Sequence, residues 1–309
     1  TGTDMVGDLL IEDGKISKVG KEIEEQSARV VDAKGCYVMP GLIDLHVHLR
    51  DPGQEYKEDI RSGSSAAARG GFTTIVAMPN TKPVIDRADR VDYVRNKSEQ
   101  IAPIHVLQAG AITKGQEGEE LADIEGMIAA GAPALSEDGK SVMNAQLYKQ
   151  AMLIAAKHDI PVLAHCEDKS LTNGGCMNED ERSEELGLPG ICNASEDVIA
   201  ARDIILANDT GVKLHLCHCS TKATVVMMKK AKEEGFRVTA EVCPHHFTLS
   251  SEDIPGDDPN YKMAPPLRRR EDVEALRQGL KEDIMDVIST DHAPHSQADK
   301  TGSMRTAAF

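Results

Sequence analysis

Residues 41–51 read GLIDLHVHLRD, and this stretch decides the fold. On an extended strand alternate side chains share a face, so His46 and His48 lie together while Leu45, Val47 and Leu49 point the other way. Imidazoles at the end of a nearly all-apolar strand are costly to bury unpaired, and two on one face suit a divalent transition metal. Working outward, further apolar, β-rich runs follow near 73–78, 103–109, 132–136, 161–165, 212–218, 236–243 and 285–290. Between them lie stretches of helical period near 57–69, 85–100, 119–130, 143–158, 195–208, 221–234 and 270–282. Strand alternating with helix implies a parallel sheet. Eight strands, counting 42–48, imply an α/β protein with a closed (β/α)8 barrel of the TIM type, whose chemistry sits at the strand ends. Only seven helices accompany them, which places the last helix beyond Phe309. The chain also starts without Met, and it is expected to be a fragment of a longer protein.

Residues 8–20, DLLIEDGKISKVG, alternate polar and apolar around the Asp13-Gly14 turn signal and predict a hairpin. Residues 29–39 read as a further strand. Residues 1–40 therefore form an N-terminal β module, and 41–309 the barrel.

Other strand ends carry similar groups. His165 closes PVLAH, His218 closes KLHLCH, and Asp291 follows DVIST, where a carboxylate after apolar residues needs a partner. Asp138, in LSEDGKS, offers a second carboxylate, although taken singly it reads as a turn residue before Gly139. Cys217-His218-Cys219 has the look of a zinc knuckle, but alternation places both thiols on the face opposite His218. Together His46, His48, Asp138, His165, His218 and Asp291 form the candidate metal set. His105 and His215 are expected as packed structural residues, and His245 and His246 as groups that orient the site rather than bind metal.

The chain carries 35 basic and 51 acidic side chains, a net charge of −16, which disfavours a nucleic-acid partner. A small anionic substrate remains compatible, because a metal and one or two Arg set the local field. Aromatic residues make up only 3 % and Trp is absent, so the core must rest on Val, Ile, Leu, Ala and Met. Seven Cys, several in apolar runs, read as reduced thiols of a cytoplasmic protein. No apolar run has the length of a membrane span, so no membrane partner is expected.

VMPGLIDLHVHLRDPG, FTTIVAMPNTKP, HCED, CPHH and STDHAPH resemble the amidohydrolase superfamily and, within it, bacterial dihydroorotases of the long-chain type. The similarity runs from about Gly7 to His295. It implies the reversible interconversion of N-carbamoyl-L-aspartate and L-dihydroorotate in pyrimidine biosynthesis. It implies one or two zinc ions on His46, His48, His165 and His218, with Asp291 both ligand and general acid/base. Arg50, Asn80 and His295 are implied to hold the substrate carboxylate. Many relatives bridge two metals with a carboxylated Lys; the equivalent place points to Asp138 here, with Lys140 as the alternative. Ala264, in KMAPPLR, stands where similar enzymes often have Asn. A β-sandwich built from both chain termini is implied, with only its N-terminal part present. A homo-oligomer is expected, and aspartate transcarbamoylase is a candidate partner. Two other readings stay open: another cyclic amidase (dihydropyrimidinase, hydantoinase or allantoinase), or a non-catalytic scaffold for aspartate transcarbamoylase.

Overall fold

A computed structural model describes residues 4–309. Contacts divide the chain into two units, Thr1–Pro40 and Gly41–Phe309.

In the first unit β1 (Asp8–Glu12) and β2 (Lys15–Gly20) form the expected antiparallel hairpin. Its turn needs two residues with positive φ, and Asp13 (φ 50°) and Gly14 (φ 74°) supply them. Residues 29–39, expected as a strand, take no strand structure. Among the described residues nothing pairs with them, and an extended segment without a ladder leaves its backbone groups to water.

The second unit is the barrel. Its strands are β3 (Leu42–Val47), β4 (Phe72–Ala77), β5 (His105–Gln108) continued by β6 (Gly110–Ala111), β7 (Leu135–Ser136), β8 (Pro161–Ala164), β11 (Lys213–Leu216), β12 (Val238–Val242) and β13 (Val287–Ile288). All pairings within it are parallel. The ring closes where the His48 N–H donates to the His292 carbonyl at 2.8 Å, and across Ala109, whose N–H reaches Ala77 while Gly110 N–H reaches Ala134. The expected helices are α1 (Ile60–Arg69), α2 (Ala88–Ile101), α3 (Ile124–Ala129), α4 (Ala145–Lys157), α6 (Ala194–Thr210), α7 (Lys222–Glu233) and α9 (Arg270–Lys281). Asp59 fixes the start of α1 by accepting from the Ser62 N–H at 2.7 Å, in a reciprocal capping box. Residues after β13 pass through a 3₁₀ turn, Gln297–Lys300, to Phe309.

Two layers of apolar side chains flank the strands. Val76, Met78, Ala109, Ala134, Leu163 and Cys217 fill the barrel interior. The larger layer, between strands and helices, includes Ile75, Leu135, Met152, Leu214, Leu216 and Met228. Aliphatic residues and Met dominate both, as the shortage of aromatics requires. His105 corrects one expectation, because it is exposed on β5 rather than packed.

The segment between His165 and Ala194 is longer than a plain strand-to-helix loop. It contains a parallel pair, β9 (Met177–Asn178) with β10 (Gly190–Ile191), and α5 (Glu181–Leu186). Cys176, Met177 and Leu188 are buried there against Ile254, Leu267 and Met304 in a small core of their own. Buried Arg268 joins it to the barrel by donating to Asn178 Oδ1 (3.0 Å), the Ile191 carbonyl (3.2 Å) and Ser220 Oγ (2.9 Å).

Leu216 is fully buried at the end of β11, immediately before the turn that aims His218. Leu216→Ala is expected to cost about 2–5 kcal/mol of stability, read from urea unfolding; a loss below about 1 kcal/mol would mean that the outer layer closes over the gap.

Candidate metal centre

Strand β3 delivers His46 and His48 to the barrel mouth, with Val47 and Leu49 packed in the outer layer as alternation predicts. Leu45 departs from that pattern and packs with the interior cluster, because the ladder with β4 shifts register between Asp44 and Val47. On strand β11 the faces differ from those expected. Leu214 and Leu216 face the helices, and Cys217 faces the interior. The strand ends at Leu216, and His218 enters the site because its backbone turns to φ 34°. Cys219 lies in the outer layer, so the two thiols sit on opposite sides of the wall and form no knuckle with His218. Asp291 (φ 50°) and Arg50 (φ 61°) are aimed by the same left-handed conformation just past their strands. For residues other than Gly this costs roughly 1–3 kcal/mol each, and such strain clusters where side chains must be aimed.

All six residues of the candidate set converge. His46, His48 and Asp138 form one triad, Asp138, His165 and His218 a second, and His46, His218 and Asp291 a third; within each, the donor atoms lie within 4.8 Å of one another. His46 Nε2 is 3.1 Å from Asp138 Oδ1, and His48 Nε2 is 3.1 Å from Asp291 Oδ1. His165 Nδ1 and His218 Nε2 are 2.8 Å apart. Lys140, the alternative to Asp138, and the neighbouring Glu137 are engaged elsewhere. Glu137 accepts from the backbone N–H groups of Ile112 and Thr113 at 3.0 Å, and Lys140 Nζ donates to the Gln116 carbonyl at 2.6 Å.

Of the groups behind the triads, Glu241 was not foreseen, and Asn80 was expected only at the substrate carboxylate. Glu241, fully buried on β12, accepts from His46 Nδ1 (2.8 Å), His215 Nε2 (3.1 Å) and the His218 backbone N–H (3.1 Å). His215 is the packed residue expected, and it props Glu241. Asn80 lies between His48 and Asp138: its Oδ1 accepts from His48 Nδ1 and its Nδ2 donates to Asp138 Oδ2, both at 2.9 Å. These contacts fix the proton on Nδ1 of both strand histidines and turn their Nε2 lone pairs into the site, as in ligating histidines.

The electrostatics are those of a cation site. Burial works against charge on His46, yet Asp291, Asp138 and Glu241 together raise its pKa well above the usual His value. Burial also opposes ionisation of Asp138 and Asp291, but His46 and His48 hold Asp138 well below the carboxylate range and Asp291 at about 2. The residues fit a divalent transition metal on direct grounds. His46 Nε2 is buried without a hydrogen-bond partner, His165 Nδ1 faces His218 Nε2 and Asp138 Oδ1, and imidazoles joined by carboxylates are the donor set such an ion takes.

Beside this cluster lies a basic corner. Arg50 is buried, its Nε donating to the Pro294 carbonyl at 3.2 Å and its Nη2 lying 3.4 Å from His295 Nε2. Lys57, which sequence reading passed over, donates to His295 Nδ1 at 3.3 Å. That bond puts the His295 proton on Nε2, beside the Arg50 guanidinium, so two donors point the same way. Burial, with Lys57 and Arg50, pushes the His295 pKa down to about 4.

Known proteins resemble this chain in sequence and in fold. The Dihydro-orotase-like family model matches residues 35–224. A dihydroorotase of Caldicellulosiruptor saccharolyticus is 52% identical over 303 residues, covering 97% of this chain and 70% of that protein. One of Ruminiclostridium cellulolyticum is 49% identical over 308 residues, covering 100% and 72%. Among solved structures, an L-hydantoinase (dihydropyrimidinase) from Arthrobacter aurescens superposes with a TM-score of 0.81 at 23% identity, over 94% of this chain and 66% of that one. That likeness shows the shared barrel fold. This chain thus spans about 70% of the length of those dihydroorotases and about two thirds of the hydantoinase.

Glu241→Gln removes the charge behind His46 while keeping the shape. It is expected to weaken divalent-metal affinity by roughly 10–100-fold, measured by competition with a chelator; unchanged affinity would show that Glu241 serves packing alone.

Proposed function

The chain belongs to the Dihydro-orotase-like family, and from that premise we propose that it is a zinc-dependent dihydroorotase. Its reaction is the reversible interconversion of N-carbamoyl-L-aspartate and L-dihydroorotate, in de novo pyrimidine biosynthesis. The observation that carries this reading is the juxtaposition of a buried His/Asp cluster with a basic corner, in a chain whose net charge is −16.

His46, His48, Asp138, His165, His218 and Asp291 would hold zinc, one or two ions per chain. Asp138 is the carboxylate shared by the His46–His48 group and the His165–His218 group, and its two oxygens would suit two ions. When bound, zinc supplies an acidified water, its pKa lowered from 15.7 to about 7, and a Lewis acid for the amide carbonyl.

The protein's own side chains do the rest. Asp291 is ionised at neutral pH and can take a proton from the attacking water and return it to the ring nitrogen as the C–N bond breaks. Arg50 and the His295 Nε2–H converge on the substrate carboxylate, and Lys57 adds charge behind them. Asn80 sets the His48 tautomer, and the second hydrogen of its Nδ2 remains for that carboxylate. Among the described residues no helix is long and apolar enough to cross a membrane. Val198, Ile205 and Val226, exposed on the outer helices, support a homo-oligomer; docking with aspartate transcarbamoylase is a further proposal, tested by co-sedimentation.

Elemental analysis beside a dihydroorotate hydrolysis assay tests the reading directly. One or two zinc per chain with turnover supports it; zinc without turnover transfers the assignment to another cyclic amide, and no zinc at all revives the scaffold reading. Asp291→Asn is expected to fold normally yet lose at least about 10²-fold in kcat, and near-normal turnover would remove Asp291 as the proton carrier. Lys57→Ala should raise KM for dihydroorotate with little change in kcat.

His295 gives a pH signature. Its folded pKa, about 4, lies below the unfolded value of about 6.5, so the unfolded chain binds the proton more readily. The stability tied to the neutral ring is full above pH ~6.5 and is lost as the pH falls toward ~4. NMR titration of the His295 ring should show a midpoint far below that of a free histidine; an ordinary midpoint would mean that Lys57 and Arg50 do not press on it.

A further inference from the structure

The rim of the barrel carries donors that the six-residue cluster leaves unused. We propose that Cys243, His245 and His246 form a site for one further transition-metal ion of the zinc class. Cys243 ends the β12 run and precedes α8 (Pro244–Thr248), which carries both histidines. One donor atom from each residue lies within 4.8 Å of the other two. Ligand bonds of about 2.0–2.3 Å to a central ion would draw them together only slightly.

The observation that points to a ligand is at His246. This side chain is buried, 2 % exposed. Its Nε2–H donates to the Pro265 carbonyl at 2.9 Å, and its Nδ1 has no partner. A carbonyl that fixes the proton on one ring nitrogen, with a buried and idle lone pair on the other, is the arrangement found behind metal-bound histidines. Burial, then the neighbouring His245, keep the ring neutral by holding its pKa well below the usual value. The His245 ring centroid is 4.2 Å away, and Cys243 is fully buried. On binding, the Cys243 Sγ–H bond breaks, the Sγ–metal bond forms, and the proton passes to water. A thiolate beside two imidazoles selects zinc-class ions over magnesium or calcium. The other thiol-containing group, His46, Cys217 and Glu241, is committed, because His46 belongs to the main cluster and Glu241 is bonded to His46 and His215. The new site does not depend on the proposed reaction.

Cobalt(II) separates the two sites, because thiolate-to-cobalt charge transfer absorbs strongly in the near ultraviolet and the main cluster offers only nitrogen and oxygen. Titration of the metal-free full chain should produce that band in the native protein and in Cys217→Ser. Cys243→Ser should lack the band and bind one cobalt fewer per chain. Absence of the band in the native protein, or its survival in Cys243→Ser, overturns the proposal. If Cys243→Ser does not fold, X-ray absorption of zinc-loaded Cys217→Ser decides. A sulfur neighbour at about 2.3 Å supports the site, and a purely nitrogen and oxygen shell rejects it.

Discussion

One buried carboxylate holds the site together. Glu241 receives hydrogen bonds from His46 on β3, from His215 on β11 and from the backbone of His218 just beyond β11. Removing such a charge from water costs several kcal/mol, and only hydrogen bonds from charged or strongly polar donors offset it. Here three donors from two different strands meet it, and His46 and His215 draw its pKa well below the carboxylate range against the opposing effect of burial. The position of His46 relative to His218, and with it the spacing of the third triad, follows from this one group. A barrel without it would bring the same ligands to the mouth but would not fix which nitrogen of His46 faces inward.

The second constraint is conformational. Arg50, His218 and Asp291 each leave their strand in the left-handed region. A strand that continued past these points would send their side chains alternately to the interior and the helix layer. The turn breaks that alternation and aims all three into the same mouth. The strain, roughly 1–3 kcal/mol per residue, is tolerable because each turn lies beside a hydrogen bond that pins it. His218 N–H donates to Glu241, the His48 N–H beyond β3 donates to His292, and the Gln54 N–H returns to the Arg50 carbonyl at 2.9 Å.

These two constraints also explain what the sequence disclosed. The barrel was legible because alternation of strand and helix depends on local hydrophobic period, which each segment carries by itself. His46 and His48 were legible for the same reason. His218 was placed in the candidate set, but on the wrong geometry, since a left-handed turn at a non-glycine residue leaves no mark in composition. Glu241 did leave a mark: an acidic residue inside VTAEV invites the question already asked of Asp291. Lys57 left none, because a lysine in a polar loop resembles any solvated lysine until the fold brings His295 beside it. The strand expected at 29–39 failed because a strand is a property of a pair, and local pattern cannot supply the partner.

Charge resolves the remaining tension, between an acidic chain and an anionic substrate. The surface field of a protein is screened over about 8–10 Å in physiological salt, so a net charge of −16 governs long-range encounter more than it governs the pocket. Inside the mouth the relevant charges are those buried with the substrate. On one side Asp138 and Asp291 are drawn well below the ordinary carboxylate range by the imidazoles around them, which favours a cation there. On the other side burial, together with Lys57 and Arg50, keeps His295 neutral, which leaves its Nε2–H a plain donor beside a guanidinium. A positively charged histidine would add charge but would also repel the two cations that position it. Under the proposed function, neutrality would let three donor groups share one small anion, while the His/Asp cluster beside them would act on the bond to be broken.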